Sequence, residues 1–138
     1  MTAIFRSLED RIYPKNKVVI NELQSCEEVL FVHEGTYDIG FEVNRQKYYK
    51  LNFGKSTVIG GHQICFRQRY LFIYKSSSNL KCYSIRLKVW NEIMQKYPGF
   101  YMSIRSKFVQ HFVTNIFRPM MKQKKMVIDL FDLRKDFT

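Results

Sequence analysis

Near residue 86 the hydrophobic pattern of this chain changes period. Before it, apolar residues come in short runs: "KVVINEL", "EVLFVHEGTYDIGFEV" with Gly35 and Gly40 inside it, "QKYYKLNFG", "STVIGG", "RYLFIYK", a polar "SSSN" turn and "LKCYSIRL". Short runs rich in β-branched and aromatic residues read as strands, and about eight at close intervals predict a sandwich or barrel. After it, Val89, Trp90, Ile93 and Met94 share one helical face that ends at Tyr97-Pro98. Phe100, Ile104, Phe108, Phe112 and Ile116 then recur every four residues as an apolar stripe. At the other end, Ile4, Leu8 and Ile12 stand at helical spacing and predict a short opening helix, stopped by the turn formers Pro14 and Asn16. Pro119 is expected to interrupt or kink the last helix. The fold class expected is therefore α+β: a jelly-roll-like β-roll of about eight antiparallel strands, a short N-terminal helix and two C-terminal helices. One domain spans residues 1–118, and residues 119–138 form a basic, amphipathic tail.

A chain of 138 residues, 46% hydrophobic and 16% aromatic, carries enough apolar surface for one core. Cys26, Cys65 and Cys82 are an odd number at unrelated spacings, which fits idle thiols rather than a disulfide framework or a zinc site. His33, His62 and His111 have no neighbour at metal-ligand spacing, so no metal and no cofactor are expected. No serine-hydrolase, zinc-protease or phosphate-loop motif occurs. "GTYDIG" is a strand kink rather than a dinucleotide loop, because no helix follows it. Cys65 as a nucleophile beside His62 is the one catalytic pairing to consider, and three residues apart in a loop they read as unrelated. The chain is not expected to be an enzyme. Its net charge of +11 suits an anionic partner of any kind or simply a solvated surface. No apolar run is long enough to span a bilayer, so the segment itself is expected to be soluble.

Three stretches carry a resemblance. "FVHEGTYDIGFE" (31–42) resembles the glycine-centred strand signature of cyclic nucleotide-binding domains. "LNFGKSTVIGG" (51–61) resembles the strand and glycine turn that lead into their phosphate-binding cassette. "CYSIRLKVWNEIMQKYP" (82–98) is similar to the last strand and first C-terminal helix of that domain in hyperpolarisation-activated, cyclic-nucleotide-gated and ether-à-go-go channels. The resemblance runs over about residues 3–118.

In that family a glycine permits close approach of the ligand, a glutamate takes the ribose hydroxyl, and an arginine with a neighbouring hydroxyl takes the cyclic phosphate. The resemblance places the pocket at Ile59, Gly60, Gly61, His62, Gln63, Arg67, Arg69, Tyr70, Leu71 and Phe72, with Phe108, Phe112 and Ile116 on the covering helix. Gly60 matches the glycine. Gly61 stands at the glutamate position, Tyr70 at the arginine, Leu71 at the hydroxyl and Phe72 at a small alanine. Arg69 is one step from Tyr70, which in a strand turns its side chain to the other face. Each charged hydrogen bond lost costs ~1.5–3 kcal/mol, so three missing groups argue against conventional binding of cAMP or cGMP.

The resemblance implies a cytoplasmic regulatory domain of a cation channel with a degenerate cassette, hung beneath a membrane and joined to the linker, the pore or other subunits. Lys122, Lys124 and Lys125, with Arg118 nearby, are the residues that would meet anionic lipid. The tail after Pro119 could also fold back over the pocket. Two alternatives stand beside this reading: a ligand-free scaffold or interaction module within a larger complex, and a cAMP or cGMP sensor with an atypical pocket. Nucleic acid is not an expected partner, because the sequence offers no helix-turn-helix after the long helix.

Overall fold

The computed structural model describes residues 6–136. Its strands are β1 (Glu9–Tyr13), β2 (Val18–Ile20), β3 (Glu28–Glu34), β4 (Tyr37–Val43), β5 (Gln46–Phe53), β6 (Val58–Ile59), β7 (Ile73–Ser76) and β8 (Leu80–Arg86). They form two four-stranded antiparallel sheets, ordered β1-β8-β3-β6 and β2-β7-β4-β5. This is the β-roll expected from the short apolar runs. Period-two alternation drives it: on β4, Tyr37, Ile39 and Phe41 are all buried, as are Leu80, Cys82 and Ser84 on β8.

Two turns fix the sheet register. Asn44 and Arg45, at φ 52 and 65, join β4 to β5 in the doubly left-handed geometry that suits a tight hairpin. Gly40 sits at a register shift in β4, where a Cβ would run into the carbonyl of Tyr48 on β5. "GTYDIG" is thus a kinked strand and not a loop around a ligand.

The opening differs from expectation. Of the predicted helix, residues 1–5 lie outside the described residues, Arg6 is helical, and from Glu9 the chain is strand β1, with Ile12 on it 70% exposed. This edge strand is held through polar side chains: Arg11 bridges Glu9 at 2.8 Å and Glu28 at 3.1 Å, and Ser84 donates to Glu28 at 2.7 Å. A strand anchored by charge shows no hydrophobic alternation to read.

Three helices follow the roll, with a short one, α1 (Gly61–Phe66), set into it. The helix α2 (Leu87–Lys96) buries Trp90, Ile93 and Met94, while Val89 is half-buried. Next, α3 (Pro98–His111) starts on Pro98, whose missing N–H costs nothing in a first turn. Where Pro119 was expected to interrupt or kink the helix, the α-helical ladder is interrupted by a π-helical turn over Phe112–Phe117 and the chain continues as α4 (Arg118–Asp136). The N–H of Arg118 bonds five residues back to Val113. That wider ladder makes room for the proline ring, which in an α-helix would strike the carbonyl four residues earlier. The presumed tail is therefore helical, and it buries Met120 and Val127 where α4 packs along β4 and β5 rather than over the cassette. Among the described residues no helix is long and apolar enough to cross a membrane.

Candidate functional site

From β6 the chain enters Gly60, at φ 87 and ψ 7, and then the single-turn helix α1. A Cβ on Gly60 would run into the Tyr70 hydroxyl, so this position needs glycine for its left-handed backbone and for the close approach alike. The sequence assigned that approach to a ligand; the atom that makes it is the oxygen of Tyr70.

Tyr70 and Phe72 are 2% and 1% exposed. The Tyr70 ring stands edge-on to Tyr74 at 5.6 Å, and its hydroxyl lies 3.5 Å from the Cys26 thiol, which also faces the carbonyls of Glu28 and Gly60. Burial pushes the Tyr70 phenol well above 10 and the Cys26 thiol upward, so both stay neutral. Among the described residues no lysine or arginine lines the interior cavity beside Gly60, and a phosphate brought there would lose its hydration without compensation.

The run from Arg69 to Phe72 precedes β7 and has no sheet ladder, contrary to the strand read in "RYLFIYK", yet it alternates as a strand would. Arg69 and Leu71 face out while Tyr70 and Phe72 face in. Tyr70 holds this register by donating its N–H to Gln24 at 3.0 Å and accepting from Leu23 at 2.7 Å. Arg69 donates Nη1–H to the Leu23 carbonyl at 2.9 Å, on the outside. Arg67 caps the end of α1 at φ 53 and is also exposed. The inward family arginine therefore has no substitute in either residue, and Leu71, 44% exposed, does not reach the pocket.

The covering helix closes the rest. A Cβ on Gly61 would meet three ring atoms of Phe108 at 2.7, 2.8 and 3.0 Å, so Phe108 occupies the space a glutamate side chain would need. Phe108 is backed by Trp90, ring centroids 6.2 Å apart. His62 stacks on Phe112 at 4.4 Å and 12°, with Phe66 at 4.8 Å. Its Nε2 is 3.0 Å from Gln68 Oε1, and Nδ1 is buried without a hydrogen bond. Burial lowers the His62 pKa and keeps the ring neutral. The cavity left among Gly60, Gly61, His62, Tyr74, Phe108 and Phe112 is about 20 Å³. That is room for about one water, against roughly 300–1,000 Å³ for a small-molecule site. Val58, Gln63, His111 and Ile116 complete its lining, while Ile59 is buried nearby.

On the far side of α1 lies an open cleft of about 470 Å³, and this is where Arg67 and Arg69 are found. Burial raises the Cys65 thiol to about 11, and the His62 imidazole is engaged with Gln68 and Phe112. On α4, Lys122 and Lys125 are exposed and Lys124 is half-buried. Sequence reasoning missed Cys26 and Trp90, which act here only because distant segments meet, and Gln68, six residues from its partner His62.

No protein-family model and no curated protein matches this chain. Solved structures do resemble it. The regulatory domain of Toxoplasma gondii PKA with cAMP aligns with a TM-score of 0.62 at 12% identity, over 67% of this chain and 35% of that one. Cyclic-AMP-bound PfPKA-R aligns at 0.58 and 14% identity, over 63% and 31%. A Silicibacter pomeroyi regulatory protein assigned as cAMP-binding aligns at 0.66 and 13% identity, over 88% and 55%. The chain spans about a third of the length of the two PKA chains. At such identities the likeness is one of architecture: this chain has the fold of cAMP-binding regulatory domains.

Proposed function

We propose that this chain is a regulatory domain that keeps the cyclic nucleotide-binding fold and fills the nucleotide pocket with its own side chains. The observation that carries this reading is Tyr70, whose hydroxyl stands against Gly60 beneath a covering helix seated on Gly61. A domain of this kind holds one state of the covering helix permanently, and so acts as a fixed bias rather than a nucleotide switch. The setting proposed is the cytoplasmic side of a cation channel of the cyclic-nucleotide-regulated or ether-à-go-go type. The stretch 82–98 supports it: β8 passes directly into α2, which ends at Tyr97-Pro98. In that setting Lys122 and Lys125, with Lys124 beside them, would face anionic lipid at roughly 1 kcal/mol per charge.

The second reading, an interaction module within a larger complex, is favoured by apolar side chains on the outer side of α4, where Met126, Leu130 and Leu133 are 52%, 61% and 52% exposed. Calorimetric titration with cAMP and cGMP tests the filled pocket. No heat at millimolar nucleotide is expected, and micromolar binding would establish an atypical sensor instead. Fractionation of cells expressing the natural full-length protein tests the channel setting, which recovery outside the membrane fraction would refute.

A further inference from the structure

The helix α1 separates two spaces. One side faces the filled interior, and the other floors the open cleft of about 470 Å³, whose lining includes Ser25, Glu27, Gln63, Arg67, Arg69 and Asn91. Among the described residues neither arginine is in an ion pair. Arg69 is positioned at the cleft by its bond to the Leu23 carbonyl. Arg67 holds a left-handed backbone, φ 53, at a helix end where glycine is the usual residue. Gln63 is 3% exposed and lines the cleft. Glu27 stands at the edge, accepting the Ser25 hydroxyl at 2.8 Å. The cleft shares Ile64, Arg67 and Asn91 with a smaller hollow of about 220 Å³ that is floored by Trp90, Met94 and Tyr101.

We propose that this outer cleft binds a small phosphate monoester bearing a flat ring, with its terminal phosphate, a group that cyclic nucleotides lack, between Arg67 and Arg69 and the ring in the smaller hollow. Two guanidiniums against one carboxylate leave positive charge, and their forked donors match phosphate oxygens. The amides of Gln63 and Asn91 and the carboxylate of Glu27 suit hydroxyl groups between phosphate and ring. The cleft's volume falls within the range of small-molecule sites, and its annex sets the rings of Trp90 and Tyr101 beside the polar Asn91 and Gln95, which suits a heteroaromatic ring. The helix α1 stands between the two spaces and only its Gln63 lines both, so occupancy of the cleft can be read apart from the filling of the interior.

The test is a two-dimensional amide NMR titration of the full 138-residue chain with 5′-AMP, and with adenosine as the phosphate-free control. The amides of Gln63, Gln68 and Asn91 are expected to move with 5′-AMP and to stay still with adenosine. Arg67→Gly should weaken binding about tenfold or more and at the same time raise Tm, since glycine relaxes the left-handed backbone. A purely structural Arg67 would not separate the two effects. Arg69→Gln should weaken binding as well, and gives a second, independent variant. The proposal is overturned if no amide moves at millimolar 5′-AMP, or if adenosine acts equally. It is overturned too if the shifts fall on Gly60, His62 and Phe112, or if Arg67→Gly binds as the parent does.

Discussion

Replacing Gly61 by alanine adds one methyl group at the contact that closes the pocket. That methyl would lie 2.7–3.0 Å from three Phe108 ring atoms, closer than carbon atoms tolerate, and the ring cannot retreat freely because Trp90 backs it. Overpacking of this kind costs about 1–3 kcal/mol. In a chain of this size it lowers Tm by roughly 3–6 °C per kcal/mol. Removing the ring should reverse the sign. In a Phe108→Ala background Gly61→Ala is relieved of its three nearest contacts, and alanine in a helical turn gains about 0.5–1 kcal/mol over glycine. Urea unfolding of the parent, both single variants and the double variant gives the coupling directly, expected at about 2 kcal/mol. If Gly61→Ala costs the same in both backgrounds, Phe108 does not rest on Gly61, and the reasoning about closure fails.

Other consequences are open to test. His62 has its pKa lowered from 6.5 by burial, so below that pH the unfolded chain takes up a proton that the folded chain resists. Stability should therefore fall as pH drops below 6.5, and His62→Phe should flatten that part of the profile; an unchanged profile would show that the ring is not buried against Phe112. Burial raises Cys65 and Cys82 to about 11 and raises Cys26 as well, so all three thiols should alkylate slowly in the native chain at neutral pH and rapidly in urea. Fast labelling of native Cys65 would contradict its placement. Arg67→Gly should stabilise the chain by about 1 kcal/mol, read as a higher urea midpoint, because the left-handed backbone at that position penalises any side chain.

What could be read from the sequence followed local chemistry. The strands from β3 to β8 announce themselves by β-branched and aromatic runs, and α2 by a face ending at Tyr97-Pro98. β1 does not, because Arg11, Glu9 and Glu28 hold it by charge and its Ile12 points to solvent. The helix across Pro119 was also hidden, since a π turn that accommodates proline has no hydrophobic period of its own. Within the site, the resemblance implied Tyr70 and Phe72 on the pocket side and alternation put Arg69 on the other face; Tyr70 and Phe72 are buried and Arg69 exposed although the segment lacks a sheet ladder. The seating of Phe108 on Gly61, 47 positions earlier in the chain, did not, nor did the stacking of His62 on Phe112. Those contacts depend on the angle at which α3 leaves α2, which no residue pattern states. The destination of Arg67 was likewise invisible: it depends on the left-handed turn that ends α1.

The most direct measurement is of two proton contacts by nuclear Overhauser spectroscopy, Tyr70 ring to Gly60 Hα and Phe108 ring to Gly61 Hα, with and without saturating cAMP. A pocket occupied by its own side chains predicts both contacts in the free chain and neither altered by cAMP. Contacts missing from the free chain, or lost when cAMP is added, would mean that the pocket opens for a nucleotide and that Tyr70 does not fill it.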